Sequence, residues 1–375
     1  MLSKMTMTQS SLGVAVVGAG FGQKIHIPGF QAHHRTQVVA VYHRDREKAK
    51  AIAQTHGIPH ACQTVEEIVA LPDVQAVSIS TPPFLHQPMA ETVLKAGKHL
   101  LLEKPTALTV TEAKQIQALA DAQSLVTVLD FEFRFVPAWQ RLAELLNEGY
   151  VGQPRLVKID WLASSRANPS RPWNWYARKD QGGGALGAIG SHAFDYIAWL
   201  FGPAKRLCAR LSTSIPHRPD PMTGELKPVD ADDTCSIWLE LADGVPCQIS
   251  LSSVTYAGRG HWLEVYGDRG CLILGSSNQK DYVHGFTLQG SQSGAPLEEF
   301  EIPQRLAFPK TYPDGRLAPF IRVVNHWIDC IDQGTMSAPS IREGVYSQLL
   351  MDLTHQSNET GAWVEVPSLG EGGIG

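Results

Sequence analysis

No stretch of the sequence reaches the roughly 18 consecutive apolar residues of a membrane span. The first ten residues, Met1 to Ser10, are mostly polar and lack the apolar core of a signal peptide. The six cysteines, at 62, 208, 235, 247, 271 and 330, form no C-x-x-C pair, which argues against both a zinc centre and a disulfide framework. No metal is expected. An excess of basic charge is also missing. The formal net charge is −5 and there is no polybasic run, so neither nucleic acid nor an anionic membrane is an expected partner. Internal repeats and low-complexity tracts are absent. What is left is an ordinary soluble chain, 43% hydrophobic and 18% charged, whose expected home is a reducing cytoplasm. At 375 residues it is long enough for two domains, each with its own core.

The first 130 residues alternate strand and helix. Leu12–Val17 is a continuous apolar run, as in a parallel strand covered on both faces. A glycine-rich turn and a helical stretch to about His33 follow. Gln37–Tyr42, Val74–Ser80, His99–Leu102 and Leu125–Leu129 read as further strands. Between them, Asp45, Thr64-x-x-Glu67 and Thr109-x-x-Glu112 open helices, and Gly57 and Gly97 close two of them. This repetition predicts a doubly wound parallel α/β sheet over residues 1–131, a Rossmann domain. Beyond 131 the pattern changes. Runs such as Leu156–Ala163, Thr234–Leu241, Pro246–Ser253, Trp262–Tyr266 and Cys271–Leu274 follow one another without helices, and Asp243-Gly244 suits a hairpin turn. Residues 132–375 therefore read as an α+β domain with a mostly antiparallel open sheet. Phe320–Asp332 and Ile341–Glu359 read as its closing helices, and Pro216–Val229 as an exposed loop.

Gly18-Ala19-Gly20-Phe21-Gly22-Gln23 lies between the first strand and the first helix. Gly18 permits the tight turn, and Gly20 lets the backbone approach a pyrophosphate seated on the helix N-terminus. The third fingerprint glycine falls at Gln23, so the motif is incomplete and its place in the βαβ series carries the reading. The second strand ends at Tyr42-His43-Arg44, where the reader of the adenosine ribose belongs. An NAD-selective site usually has a carboxylate there. His43 and Arg44 instead favour the 2′-phosphate of NADP, with NAD possible; the alternative is that Arg44 is a solvated charge beside a helix cap.

Glu103-Lys104-Pro105 ends the fourth of these strands, where ligands gather in open α/β sheets. Lys104 is thus placed for chemistry, and a cis bond before Pro105 would suit the turn. A second dense motif, Gly182 to Asp195, runs from glycines into a helix with His192 and Asp195 as its polar members. His192 is either a general acid or base or a satisfied core histidine. Trp173, Asn174 and Trp175 precede the glycines. They offer an aromatic platform for a sugar ring, or else they anchor the loop.

Together these segments resemble the glucose–fructose oxidoreductase, inositol dehydrogenase and rhizopine catabolism family, Gfo/Idh/MocA, from Val14 to Val366. The likeness rests on the glycine turn, Ser80-Thr81-Pro82-Pro83 with His86, and Ala96-Gly97-Lys98-His99 leading to Glu103-Lys104-Pro105. Phe133-Arg134-Phe135 with Pro137, and Gly182–Asp195, complete it. The resemblance implies that Gly18, Gly20, Phe21, Gly22 and Gln23 hold the pyrophosphate and that His43 and Arg44 meet the adenosine ribose. It also implies that Thr81, Pro82 and His86 line the cofactor path and that Glu103 meets the nicotinamide ribose. Lys104 and His192 match the catalytic pair, with Arg134 and the Trp173–Trp175 segment at the substrate end. Homodimers or homotetramers, through the open face of the second sheet, are the implied assembly. One departure stands out. Ala188 replaces the family's usual Asp four residues before the histidine.

The expected function is NAD(P)-dependent hydride transfer to or from a small sugar, polyol or related carbonyl compound. One rival is a glycoside-cleaving or lyase enzyme that cycles its cofactor internally. A second is a sensor or scaffold that keeps only the nucleotide site.

Overall fold

The computed structural model describes residues 11–278, 281 and 283–368. Six strands, β1 (Leu12–Val17), β2 (Thr36–Tyr42), β3 (His60–Cys62), β4 (Ala76–Ile79), β5 (His99–Leu102) and β6 (Thr127–Leu129), form one sheet. Its order is β3-β2-β1-β4-β5-β6 and every pairing is parallel. This is the dinucleotide-fold order, and it reverses between β1 and β4. The intervening helices are α1 (Ile27–Ala32), α2 (Arg46–His56), α3 (Val65–Val69), α4 (His86–Lys95) and α5 (Val110–Ala122). Three start where the sequence marks them. Asp45 accepts from the amides of Glu47 and Lys48, Thr64 from that of Glu67, and Thr109 from that of Glu112. Each such cap is worth about 1 kcal/mol. The three-residue β3 was not anticipated, being too short to show a period.

Helix α6 (Pro137–Asn147) leads into the second sheet. Its strands are β7 (Pro154–Leu162), β8 (Ala204–Ser212), β11 (Thr234–Leu241), β12 (Pro246–Ser252), β13 (Gly260–Gly267), β14 (Gly270–Ser276), β15 (Thr287–Gln292), β16 (Glu298–Glu299) and β17 (Val364–Glu365). Their order is β16-β15-β14-β13-β7-β12-β11-β8-β17, antiparallel except where β7 meets β12. The expected loop at 216–229 is instead a small hairpin of β9 (His217–Pro219) and β10 (Leu226–Pro228). Its residues are too few and too polar to signal pairing. Arg218 ties it down, donating to the carbonyls of Arg166 and Asn168. Helix α7 (Ser191–Phe201) covers one face of the large sheet.

The first sheet ends at Leu129 and the second begins at Pro154, but later helices return to the first. Helix α8 (Leu317–Gln333) returns to the first sheet and sets Phe320, Val323, Val324 and Trp327 against Val14, Val16 and Ile25. The start of α9 (Ile341–Thr360) packs Ile341 and Val345 on the opposite side of that sheet, and the rest of the helix runs against β8 and α7. These helices fix the two domains around the cleft between them. Among the described residues, no helix is long and apolar enough to cross a membrane.

Candidate active site

A cleft of about 680 Å³ opens at the carboxyl ends of the parallel strands, a size within the roughly 300–1,000 Å³ of small-molecule and cofactor sites. Segments following β1, β2, β4, β5 and β6 all contribute, and the second domain adds Trp175, Gln181, Gly182, Ala188 and His192. The strand order reverses at this point, so the loops splay apart and leave a crevice.

Gly18, Gly20 and Phe21 line the floor. Gly18 has φ +128°, and a side chain there would meet the Ser80 carbonyl oxygen at 2.7 Å. Gly20 differs, since a Cβ on it would meet nothing within 4 Å. Its missing side chain leaves backbone open to the cleft, which is the cradle a pyrophosphate needs. The close helix-to-strand packing of the third fingerprint glycine is supplied by Gly22, whose added Cβ would press on Val16 at 3.2 Å and on Ser80. Gly22 and Gln23 do not line the cleft. Gln23 points to α2, its amide 3.4 Å from the His56 ring. This turn of chain, Gly22–His26, is π-helical before α1 begins, which alters the side-chain directions a regular helix would give.

Tyr42, His43 and Arg44 form the end of the cleft beyond β2. The His43 ring accepts from the Asp45 amide at 2.9 Å, and Arg44 is exposed. Thr81 and Pro82 line the wall after β4. His86 does not. It is fully buried, with its ring nitrogens 2.7 Å from the Thr81 carbonyl and 2.9 Å from that of Pro105. It braces the two loops that form the cleft, and burial lowers its pKa.

Glu103 and Lys104 lie at the other end. The Lys104–Pro105 bond is cis. The Lys104 ammonium donates to the carbonyl of Ala188 at 3.0 Å. That carbonyl belongs to a second π-helical turn, Leu186–Gly190, which opens α7. Asp232 fixes the turn by accepting from the Leu186 amide at 2.8 Å. One turn on, His192 faces the cleft with 4% of its surface exposed, edge-on to Phe133 at 4.9 Å between ring centroids. Burial, then the neighbouring Lys104 charge, push its pKa well below the ordinary histidine value, so the imidazole is neutral near pH 7.

Arg134, expected at the substrate end, does not line the cleft. It is buried and grips Asp195 through two nitrogens at 2.8 to 3.1 Å. Burial opposes its charge, but Asp195 outweighs that and raises its pKa. The pair ties the segment after β6 to α7. The aromatic segment splits between its two readings. Trp175 lines the cleft, whereas the Trp173 indole donates to the Pro228 carbonyl at 2.9 Å and anchors the hairpin. Asn174 caps a turn through the Tyr176 amide at 3.0 Å.

Two acidic residues absent from the sequence reading, Asp130 and Glu132, line the wall after β6. They stand at a strand's carboxyl end, the signal that had marked Lys104. The Asp130 carboxyl bonds that of Glu103, and the His26 ring lies 3.1 Å from Glu103 and 3.8 Å from Asp130. Two carboxyls in direct contact share a proton. Burial and then the Glu103 charge raise the Asp130 pKa well above the usual range, so Asp130 holds it. Burial works against the Glu103 charge, but the His26 bond and the Lys104 charge keep it ionised.

The strand order and this crevice define a dinucleotide-fold protein in which an α+β domain closes the reaction end. The comparisons with known proteins agree. Residues 12–131 match the NAD-binding Rossmann fold of an oxidoreductase family, and residues 143–366 match that family's C-terminal alpha/beta domain. The chain belongs to the Gfo/Idh/MocA oxidoreductase family. It is 54% identical over 365 residues to the uncharacterized oxidoreductase sll0816 of Synechocystis sp., covering 97% of this chain and 98% of the relative. Levoglucosan dehydrogenase of Pseudarthrobacter phenanthrenivorans is 26% identical, over 96% of this chain and 99% of the relative. A solved structure of levoglucosan dehydrogenase with NADH and L-sorbose superposes with a TM-score of 0.85 at 24% identity, over 95% of this chain and 99% of that one, a likeness of fold.

Proposed function

We propose that the protein is an NAD(P)-dependent oxidoreductase that passes hydride between the nicotinamide and a sugar, polyol or related carbonyl compound, with NADP preferred. The observation that carries this is the convergence of the glycine turn, the Lys104 ammonium and the His192 imidazole on one cleft. Levoglucosan dehydrogenase and D-apiose dehydrogenase, both distant relatives, support the substrate class.

When bound, the dinucleotide supplies the hydride acceptor or donor. Lys104 is the group that moves the hydroxyl proton, held at the cleft wall by the Ala188 carbonyl. His192, buried and neutral, bonds the same substrate oxygen and orients it. Ala188 gives that imidazole no carboxylate partner, so the proton work falls to Lys104. His43 and Arg44 stand where a 2′-phosphate would lie, with no carboxylate of their own to repel it. We also infer a homodimer or homotetramer through the open face of the second sheet, where Trp238 is 48% exposed.

The test is a panel of polyols, sugars and aldehydes incubated with either nicotinamide cofactor, following nicotinamide absorbance and product together. Equal rates of both support the reading. Product without net change in the cofactor points to internal cycling, and binding without product points to a sensor.

A further inference from the structure

Three arginines gather on the loop that follows β7, and none of them lines the cleft. Arg218, on β9, is 7% exposed and gives its two terminal nitrogens to the carbonyls of Asn168 and Arg166, at 2.8 and 2.7 Å. Arg171 is exposed and donates to the Ser165 carbonyl. Arg166 is half-buried and lays its guanidinium over the Tyr176 ring, 3.9 Å from the centroid. Among the described residues, that guanidinium donates to no oxygen. Cations nearby are paired, Arg178 with Asp180 at 2.5 Å, Lys227 with Asp220 at 2.5 Å and Arg259 with Asp160 at 2.9 Å. Among the described residues, none of the three arginines has such a partner. Asp233, whose charge reaches Arg218, already accepts from the amides of Ser214 and Ile215.

Carbonyls satisfy N–H groups but cancel no charge, and a guanidinium stays protonated at any working pH. Burial, then the charges of Arg171 and Arg218, weaken the hold of Arg166 on its proton, and burial and Arg171 do the same to Arg218. The three therefore repel one another where water screens them only in part. An anion seated among them relieves that repulsion. The unused fork of Arg166 matches two oxygens of a phosphate or carboxylate, and the Tyr176 ring beneath it fixes the plane of the fork. Three cations favour the more highly charged phosphate. We propose that Arg166 and Arg171, backed by Arg218, form an oxyanion site that takes a phosphate group. Tyr176 meets Trp175 edge-on at 5.7 Å between ring centroids, and Trp175 lines the cleft, so the site lies behind the cleft wall. Two sources carry the group, the free ion and a sugar phosphate that reaches past Trp175 into the cleft. The inference does not depend on the oxidoreductase reading.

The test saturates the full-length protein with NADPH, so that the dinucleotide's own phosphates fill the cleft, and titrates inorganic phosphate by calorimetry at constant ionic strength. One phosphate per chain should bind saturably. Arg166→Gln and Arg171→Gln should each weaken it by about tenfold or more, the scale of a lost charge-assisted bond. Arg166→Lys, which keeps the charge without the fork, should weaken it less. Arg210→Gln, at an exposed position on β8, should leave it unchanged. Arg218 stays intact because it ties down the hairpin, and thermal melts without phosphate report on the folding of each variant. Glucose phosphate titrated alongside separates the two sources. An affinity no higher than that of phosphate assigns the free ion, and tighter binding that is lost in Arg166→Gln assigns the sugar phosphate. Absence of saturable phosphate binding by the unmodified protein overturns the proposal. So does binding that survives both Arg166→Gln and Arg171→Gln in folded proteins. Neither result depends on whether any polyol is oxidised.

Discussion

Replacing Ala188 with Asp puts a carboxylate four residues before His192, on the wall of the cleft that both line. Both residues line the same space, and Ala188 is only half-buried, so the new side chain has water and room. His192 is held neutral by burial and by the nearby Lys104 charge. An opposite charge within about 4–6 Å shifts a pKa by about 1–3 units, here upward, equivalent to about 1.4–4 kcal/mol. That moves the imidazole toward a range in which it can exchange a proton during turnover. Acid–base assistance is typically worth about 10²–10⁴-fold, and a partial gain of about tenfold in polyol oxidation is expected. The pH profile should acquire a new acidic limb. Exchanging Ala for Asp in a helix costs about 0.7 kcal/mol or less, so the melting temperature should fall by only a few degrees. The assay is steady-state kinetics across pH on both proteins, with melts as the control. A folded variant with unchanged rate and profile would refute the placement of residue 188 at the reaction centre.

Four other outcomes are expected. Arg44→Ala should remove about 1–3 kcal/mol of the preference for NADPH over NADH, the scale of a charge-assisted bond, as read by fluorescence titration of both cofactors; a preference unchanged by the substitution places Arg44 in solvent. Gly20→Ala has open space for its Cβ, so the melt should stay at wild-type temperature while dinucleotide affinity falls by about tenfold or more, since the methyl occupies the pyrophosphate's approach. Arg134→Ala strips the partner from buried Asp195 and should cost about 3–5 kcal/mol in denaturant unfolding; a change confined to KM would return Arg134 to the substrate. His261 is buried against Trp161, and burial holds its pKa down at about 3. The unfolded chain takes up that proton below about pH 6.5 and the native state does not, so stability falls as pH drops. This one group contributes a loss of about 2 kcal/mol at pH 5, and His261→Asn should flatten the stability profile between pH 7 and pH 5 by that amount.

The parts legible in the sequence are those that local chemistry dictates. Helix caps at Asp45, Thr64 and Thr109 sit one residue before the helices they open. The glycine turn and Lys104 follow apolar runs that read as strands in a βαβ series, and the topology carries them to one cleft. What stayed hidden depends on distant partners. Arg134 reads like a ligand-binding cation until Asp195, 61 residues away, neutralises it. The role of α8 is invisible because an amphipathic helix does not state which sheet it covers. Nor does a histidine such as His86, conspicuous beside two prolines, reveal that both ring nitrogens are already engaged. The π-helical turns at Gly22–His26 and Leu186–Gly190 carry no local sequence signal, and Gln23, in the first of them, turns to His56 of α2.

The most direct measurement is the fate of the carbinol hydrogen. A polyol or sugar found active in the panel is deuterated at the carbon to be oxidised and incubated with oxidised cofactor, and the reduced nicotinamide is isolated for mass spectrometry and NMR. The account predicts one deuterium at nicotinamide C4 for each product molecule, slowed hydride transfer with the labelled substrate, and no label transfer in Lys104→Ala despite retained cofactor binding. Product accompanied by an unlabelled, unreduced cofactor would contradict it.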